Sequence, residues 1–491
     1  MEIKEKKINN IIFNIAYIYI SIPIVIFCIT WLKWYYSFVL IVFLLFGLYR
    51  LCSNIHKAYK GAYSKKDIKV FVIAFVIIIA WVYLSGIGGF VYQNTDHTCR
   101  NQIYEILVNY KWPVIKQLDV DGVTTNMGLI YYIAFWIPAA AFGKLFGVTA
   151  GYVFQAIWAT IGICLFFYMI CIYFKRVSIF PLIAFILFSG LDIIGLKILS
   201  PDSQFVNRSL HIEWWASDFQ FSSFTTQLFW VFNQALPLWL FVMLILLQEN
   251  NKQMVFLMGL AVLYGPFPFL GLVPFCMVEM LARKYDGANT FKMWLFNFFK
   301  DTFTIENVLC GGFIGIVSFL YLKGNYAAQI TESSAKNKDI RGFFFMFLIF
   351  FVLEAGVYFI AIAKNSVNNR LFYVSLISLI IIPFIKVGYN ADFCMRVSIP
   401  ALLVLFLLTV DSIYAYKKSG DKIRLYILIA LLVIGAATPL REINRTLVET
   451  RNRYINEENI AFDKVSEEEI FISPNFSGET DGNFFYEKLA R

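Results

Sequence analysis

Charged residues make up only 15% of this 491-residue chain, where a soluble protein of its length carries about a quarter. That shortage, beside 59% hydrophobic and 19% aromatic residues, excludes an ordinary soluble domain. The eight cysteines include no CxxC pair, and most sit in apolar runs as small hydrophobes, which argues against a structural metal site. No P-loop, GxSxG or HExxH occurs, so nucleotide-driven transport and two common hydrolase plans have no support. Solenoid repeats and low-complexity tracts are missing as well. No small-residue cleavage site follows the first apolar run, which therefore reads as a retained span.

What the chain does have is apolar runs of the length of about 20 residues that crosses a bilayer. The expected fold is all-α: a polytopic membrane protein of about 12–13 transmembrane elements. Its net charge of +9 comes from basic residues in short loops, which reports orientation and implies no nucleic-acid partner. Lys57, Lys60, Lys65, Lys66 and Lys69 make the loop after the second span cytoplasmic, with the N-terminus on that side. Residues 1–69 then form a two-span unit, 70–440 a transmembrane core, and 441–491 a short external tail. The external loops are 91–128, 198–226, 323–341 and 389–396. Cys99 and Cys394 fall in two of them, where a disulfide is able to form.

Two full spans at 129–147 and 150–174 would put Lys175 and Arg176 outside, against the charge rule. The first of them is therefore expected to be a broken crossing at Pro138, tolerated where backbone lines a cavity. Residues 103–112 carry apolar groups at helical spacing and read as an amphipathic helix on the bilayer surface, ended by Pro113. Gly265, Pro266 and Pro268 mark a hairpin between two short helices.

The most polar stretch at a span boundary is 93–100, with Gln93, Asn94, Asp96, His97 and Arg100. Asp96 is the candidate general base, able to take a proton from an acceptor hydroxyl without a cofactor; the alternative is a helix cap just past the third span. The second external segment holds Arg208, His211, Glu213, Trp214 and Trp215. Its arginine is able to bind phosphate by a bidentate fork or to pair with an acid, and its tryptophans to stack on a sugar or join an interfacial belt. Asn233 and Gln234 suit hydroxyl recognition or interhelical bonding. Asp192 and Glu354 lie inside apolar runs, where an ionisable group is costly and a functional candidate by default. Arg396, flanked by Asn390 and Asp392, stands at an outer boundary where a cation would stabilise a phosphate leaving group. Asp119 and Asp121 form a DxD triplet that is either a turn or a weak divalent-metal site.

The order of these features resembles the GT-C superfamily of membrane glycosyltransferases. An external loop bearing an acid and surface helices (91–128) is followed by re-entry at Tyr131-Tyr132 and Lys144-Leu-Phe-Gly147, then a basic turn at Lys175-Arg176 and the segment from Gly259 to Pro266. The resemblance spans residues 70–285. It implies a GT-C-like bundle with a polyprenyl-phosphate-linked sugar as donor substrate, attacked at the outer face of a cell membrane by a glycan or lipid acceptor. It also implies Asp96 as the base and inversion at the anomeric carbon. His97, Arg100, Asp192, Arg208, His211, Glu213, Asn233, Gln234 and Arg396 are the candidate substrate-binding residues, with membrane lipid as the surrounding partner and no certain cofactor. Two other classes fit the same composition: a polysaccharide polymerase using lipid-linked repeat units, and a transporter in which Asp192 and Glu354 carry coupling ions.

Overall fold

A computed structural model describes residues 2–54, 63–120, 123–199, 211–285, 290–326, 340–388 and 391–491. The chain is an all-α polytopic membrane protein. Among the described residues ten helical stretches are long and apolar enough to cross a bilayer, and four more apolar helices are shorter. Asp121, Arg208, Asn390 and most of the 323–341 loop, expected to be external, lie outside the described residues.

Helices α1 (Glu2–Trp31), α2 (Trp34–Cys52) and α3 (Lys65–Leu84) cross in turn. The last starts from a Ser64/Asp67 capping box that satisfies two orphan donors of its first turn. The chain then builds a cap over one end of the bundle: α4 (Asp96–Asn109), the antiparallel hairpin β1 (Ile115–Val120) and β2 (Val123–Leu129), and the short α5 (Ile137–Phe146). With ten residues α5 is about 15 Å long, half a bilayer core. It returns at Gly147 without crossing: Lys144 Nζ near its end donates to Val108 O, and Tyr104 in α4 donates to Val148 O. Segment 129–147 is thus the incomplete crossing the charge pattern required. Helix α6 (Val148–Tyr173) then runs the full depth to Lys175 and Arg176, at the same end as Lys364, Lys417 and Lys418.

The next crossing is split into α7 (Phe180–Leu187) and α8 (Asp192–Leu199). A 3-10 turn, Ile212–Ala216, leads to α9 (Phe224–Leu247), where the structure departs most from expectation. In a straight helix Phe224 and Trp239 would stand about 22 Å apart, yet their rings are 5.9 Å apart, and Trp239 Nε1 donates to Gln227 Oε1. The helix is folded back at Val231, whose φ of −134° and ψ of 35° leave the helical region. Residues 224–230 climb from the middle of the bundle, where Phe224 packs on Phe185 and Phe406, and 232–247 descend beside them. The expected external segment 198–226 is corrected accordingly: its last part enters the bundle.

Helices α10 (Met254–Ala261) and α11 (Pro266–Leu281) form the proline-marked hairpin. A Cβ at Gly265 would press on Gln234, so glycine lets the turn sit against α9. Helix α12 (Phe291–Thr302) lies at the basic end with no buried residue and Phe291, Phe296 and Phe299 exposed. Crossings follow through α13 (Gly312–Lys323), α14 (Ile340–Phe351) with α15 (Val357–Ser366), and α16 (Arg370–Ile381). After α17 (Asp392–Val397) come α18 (Ile399–Ser419) and α19 (Lys422–Gly435), the latter continuing into α20 (Ala437–Ile455).

The C-terminal segment is part of the cap. Arg441, Glu442 and Arg445 are buried. Helix α21 (Glu467–Ile472) covers α4, and β3 (Ser477–Glu479) extends the sheet in the order β1-β2-β3. The final residue's amide donates to Trp31 O. Helix α4 is therefore enclosed, with Arg100, Asn101 and Gln102 buried as well as its apolar face. This corrects the expectation of a helix lying free on the bilayer surface. All eight cysteines are unpaired, so Cys99 and Cys394 form no disulfide.

Candidate functional site

Asp96 is the first residue of α4, but it does not cap it. Thr95 is the N-cap and Asn94 Oδ1 accepts the Asp96 amide, so the carboxylate is free to take Arg100 Nη2 one turn on, at 2.9 Å. The pair is asymmetric: the aspartate side chain is 41% exposed and the arginine 6%. Arg100 lies 5.8 Å from the Phe232 ring centroid, and its buried Nε and Nη1 have no acceptor.

A second guanidinium approaches from α17. Arg396 pairs with Asp392 at 3.0 Å, while its Nε is buried without a partner. Burial works against this cation, but Asp392, then Tyr132 and Tyr131, and also Asp96 outweigh it and hold the charge in place. The two tyrosines stand between the arginines. Their ring centroids are 3.7 Å apart with the planes tilted by 34°, and Tyr131 Oη donates to Tyr132 Oη at 2.5 Å. Burial keeps the Tyr131 hydroxyl protonated.

The floor comes from α9, just past its fold. Pro237 has no N–H for the carbonyl of Asn233, four residues earlier, so the helix is open there. The side chains of Asn233 and Gln234 are fully buried, and neither amide has any partner for its nitrogen or its oxygen. Gln234 lies against Gly265 at the head of α11, whose Phe267 packs on Phe393 of α17. Native buried polar groups are nearly always paired. Partnerless N–H groups on Arg100 and Arg396, and the two partnerless amides of Asn233 and Gln234, mark groups suited to a polar ligand with anionic and hydroxyl groups.

The structure brings together Asp96, Arg100 and Arg396, and Asn233 and Gln234 follow directly on the Phe232 ring that Arg100 faces. It separates the rest. His97 is turned away: its Nε2 donates to Phe229 O at 3.0 Å, beside Asn94 Nδ2 at 2.7 Å. Burial, and then the nearby Arg100, push its imidazole down to about 3. His97 is thus a neutral clamp between α4 and the carbonyl freed by the fold in α9, which corrects its assignment to substrate. His211 and Glu213 belong to a different network, in which His211 also meets Glu442 at 3.1 Å. Asp192 lies with Glu354, away from Asp96. Asp119 lies within β1, paired with Thr124 of β2, and is a strand residue, not part of the turn. Among the described residues no three of His, Cys, Asp and Glu gather as metal ligands.

Sequence reasoning used Tyr131 and Tyr132 only as a mark of re-entry. Two adjacent hydroxyls ahead of the Ile137-Pro138 break were the available signal. Glu442, Arg445 and Trp230 were missed because the first two fell in the assumed tail and the third in a span.

The unpaired amides yield a first prediction. Asn233→Leu keeps the branched shape and removes two unsatisfied polar atoms, so the empty protein should gain about 1–3 kcal/mol. Thermal denaturation in detergent should show a higher midpoint while activity is lost. A lower midpoint would mean that Asn233 has structural partners.

Comparison with family models, with curated proteins and with solved structures finds no match to this chain.

Proposed function

We propose that the protein is a membrane glycosyltransferase of GT-C type, moving a sugar from a polyprenyl-phosphate or polyprenyl-diphosphate carrier to a cell-surface glycan or lipid. The observation that carries this reading is the half-exposed Asp96 carboxylate, set among two guanidiniums with unpaired N–H groups, a hydroxyl pair and two unpaired amides. In the reaction, Asp96 takes the proton of the acceptor hydroxyl as its oxygen forms the new bond to the anomeric carbon. The bond from that carbon to the carrier phosphate breaks, and the electron pair leaves with the phosphate. Arg396 and Arg100 meet the developing charge in a site shielded from water, where fixed donors act most strongly. Attack opposite the leaving group inverts the centre. The amides of Asn233 and Gln234 suit sugar hydroxyls, which both donate and accept.

The basic residues at the far end of the bundle support an external cap, with the site opening toward the outer face. The mechanism requires no metal. A polymerase would use the same groups on a larger acceptor. Glycan analysis of cells lacking the protein tests the reading: a surface glycan missing one sugar, restored by the intact gene, is the expected result. Accumulation of single unpolymerised repeat units would instead favour the polymerase, and an unchanged glycan would overturn both.

A further inference from the structure

A second polar centre lies deeper in the bundle, where two crossings are irregular at the same level. Between α7 and α8 the chain leaves the helix, and the Leu191 amide donates to Leu353 O in the neighbouring crossing. Opposite, the helix of α14 and α15 widens into a π turn at Val352–Gly356 that carries Glu354. Asp192 and Glu354 are 1% and 2% exposed, and their carboxyls face each other within hydrogen-bonding reach.

The partners of this pair are neutral. Asp192 Oδ2 accepts from Ser189 Oγ at 2.7 Å and Thr438 Oγ1 at 2.8 Å, and Glu354 Oε1 accepts from Trp215 Nε1 at 2.9 Å. Tyr358, on the same helix as Glu354, spends its hydroxyl on Ser189 O. Glu354 Oε2 is buried with no partner, pressed against Gly190, where any side chain would collide with it. An oxygen with no donor in reach, opposite another carboxyl, is explained if the missing hydrogen is its own. Two facing carboxylates in a low-dielectric site do not both ionise.

A line of titratable groups leads from this pair to the cap. Glu213 acts on Asp192 electrostatically and accepts from the Ser223 amide and Gln220 Nε2. It lies 3.5 Å from His211 Nε2, and His211 Nδ1 lies 3.1 Å from Glu442 Oε1. Glu442 Oε2 accepts from Trp230 Nε1 and Arg445 Nη1, and Trp214 beside His211 is 59% exposed.

We propose that Asp192 and Glu354 form a proton-binding site in the membrane interior, holding one proton between two carboxyls and exchanging it with water at the cap through Glu213, His211 and Glu442. Each step moves one proton from an oxygen or nitrogen to a lone pair on the next group, and only O–H and N–H bonds form or break. The ligand is a proton, and the site does not depend on the transferase reading.

Infrared spectroscopy of the full-length protein in lipid nanodiscs tests it. At neutral pH the wild type should show a carboxylic-acid C=O band that shifts in D2O and is absent from the Asp192→Asn/Glu354→Gln double variant. Glu354→Gln alone, which keeps the side-chain shape, should also lose it. His211→Gln should retain the band but deuterate more slowly. A wild type with no such band at neutral pH overturns the proposal without any variant. A band that survives in Glu354→Gln or in the double variant places the proton elsewhere, and unchanged deuteration in His211→Gln overturns the path.

Discussion

Asp96→Asn is expected to lower sugar transfer by about 100- to 10,000-fold, the range that removal of a positioned general base produces. The substitution keeps the side chain's shape, and its amide oxygen still accepts from Arg100, which reaches the carboxylate at 2.9 Å. What disappears is the basic oxygen that takes the acceptor proton. Because the aspartate side chain is 41% exposed and caps no helix, the fold should lose little. The loss should fall on kcat with KM for donor nearly unchanged, since donor phosphate is assigned to the arginines. Transfer assayed with a labelled lipid-linked sugar, at equal amounts of folded protein, gives the measurement. Wild-type turnover in this variant would remove Asp96 from the chemistry, and a change in KM alone would make it a binding residue.

Most of the architecture is local and so was legible. Apolar run lengths, the basic loops and the prolines at 138 and 266 depend on residues near one another in sequence. The depth of the 129–147 segment followed from the charge of Lys175 and Arg176, because each crossing reverses the side on which the next loop lies. Asp96 was legible for a related reason: a polar cluster at a span boundary stands out against an apolar background. The fold in α9 was not. Val231 and its immediate neighbours include no glycine or proline to signal a turn; the bend is held by Asn94 and His97 bonding to Phe229 O from another element. Nor does helical periodicity show that α4 has a second cover. Arg100, Asn101 and Gln102 are buried, and the cover over α4 comes from α21, an element more than three hundred residues away in the chain. Glu442 and Arg445 show the same limit from the other side. Read as tail charges, they become a buried network only through the contact of Glu442, itself paired with Arg445, to His211 more than two hundred residues away in the chain.

That contact leads to the largest expected stability effect. Glu442 accepts from His211 Nδ1, Trp230 Nε1 and Arg445 Nη1, and all three charged side chains are under 10% exposed. Glu442→Ala leaves two buried cations facing a gap, and breaking a buried pair in this way costs about 3–5 kcal/mol. The same network gives stability a pH dependence of definite sign. Burial disfavours the His211 cation, but its bonds to Glu213 and Glu442 outweigh that and raise it from 6.5 to about 9. A group with a raised folded pKa stabilises fully below its unfolded value and loses that contribution as pH rises through its folded one. Wild-type stability should therefore fall by about 3 kcal/mol as pH rises from 6.5 past about 9. In His211→Gln that decline should be absent, while Glu442→Ala should lower the midpoint already at neutral pH. Thermal unfolding of the detergent-solubilised protein across this range gives both readings. A wild-type midpoint that rises through the interval would mean His211 is neutral in the folded state, with Glu213 and Glu442 held by other donors.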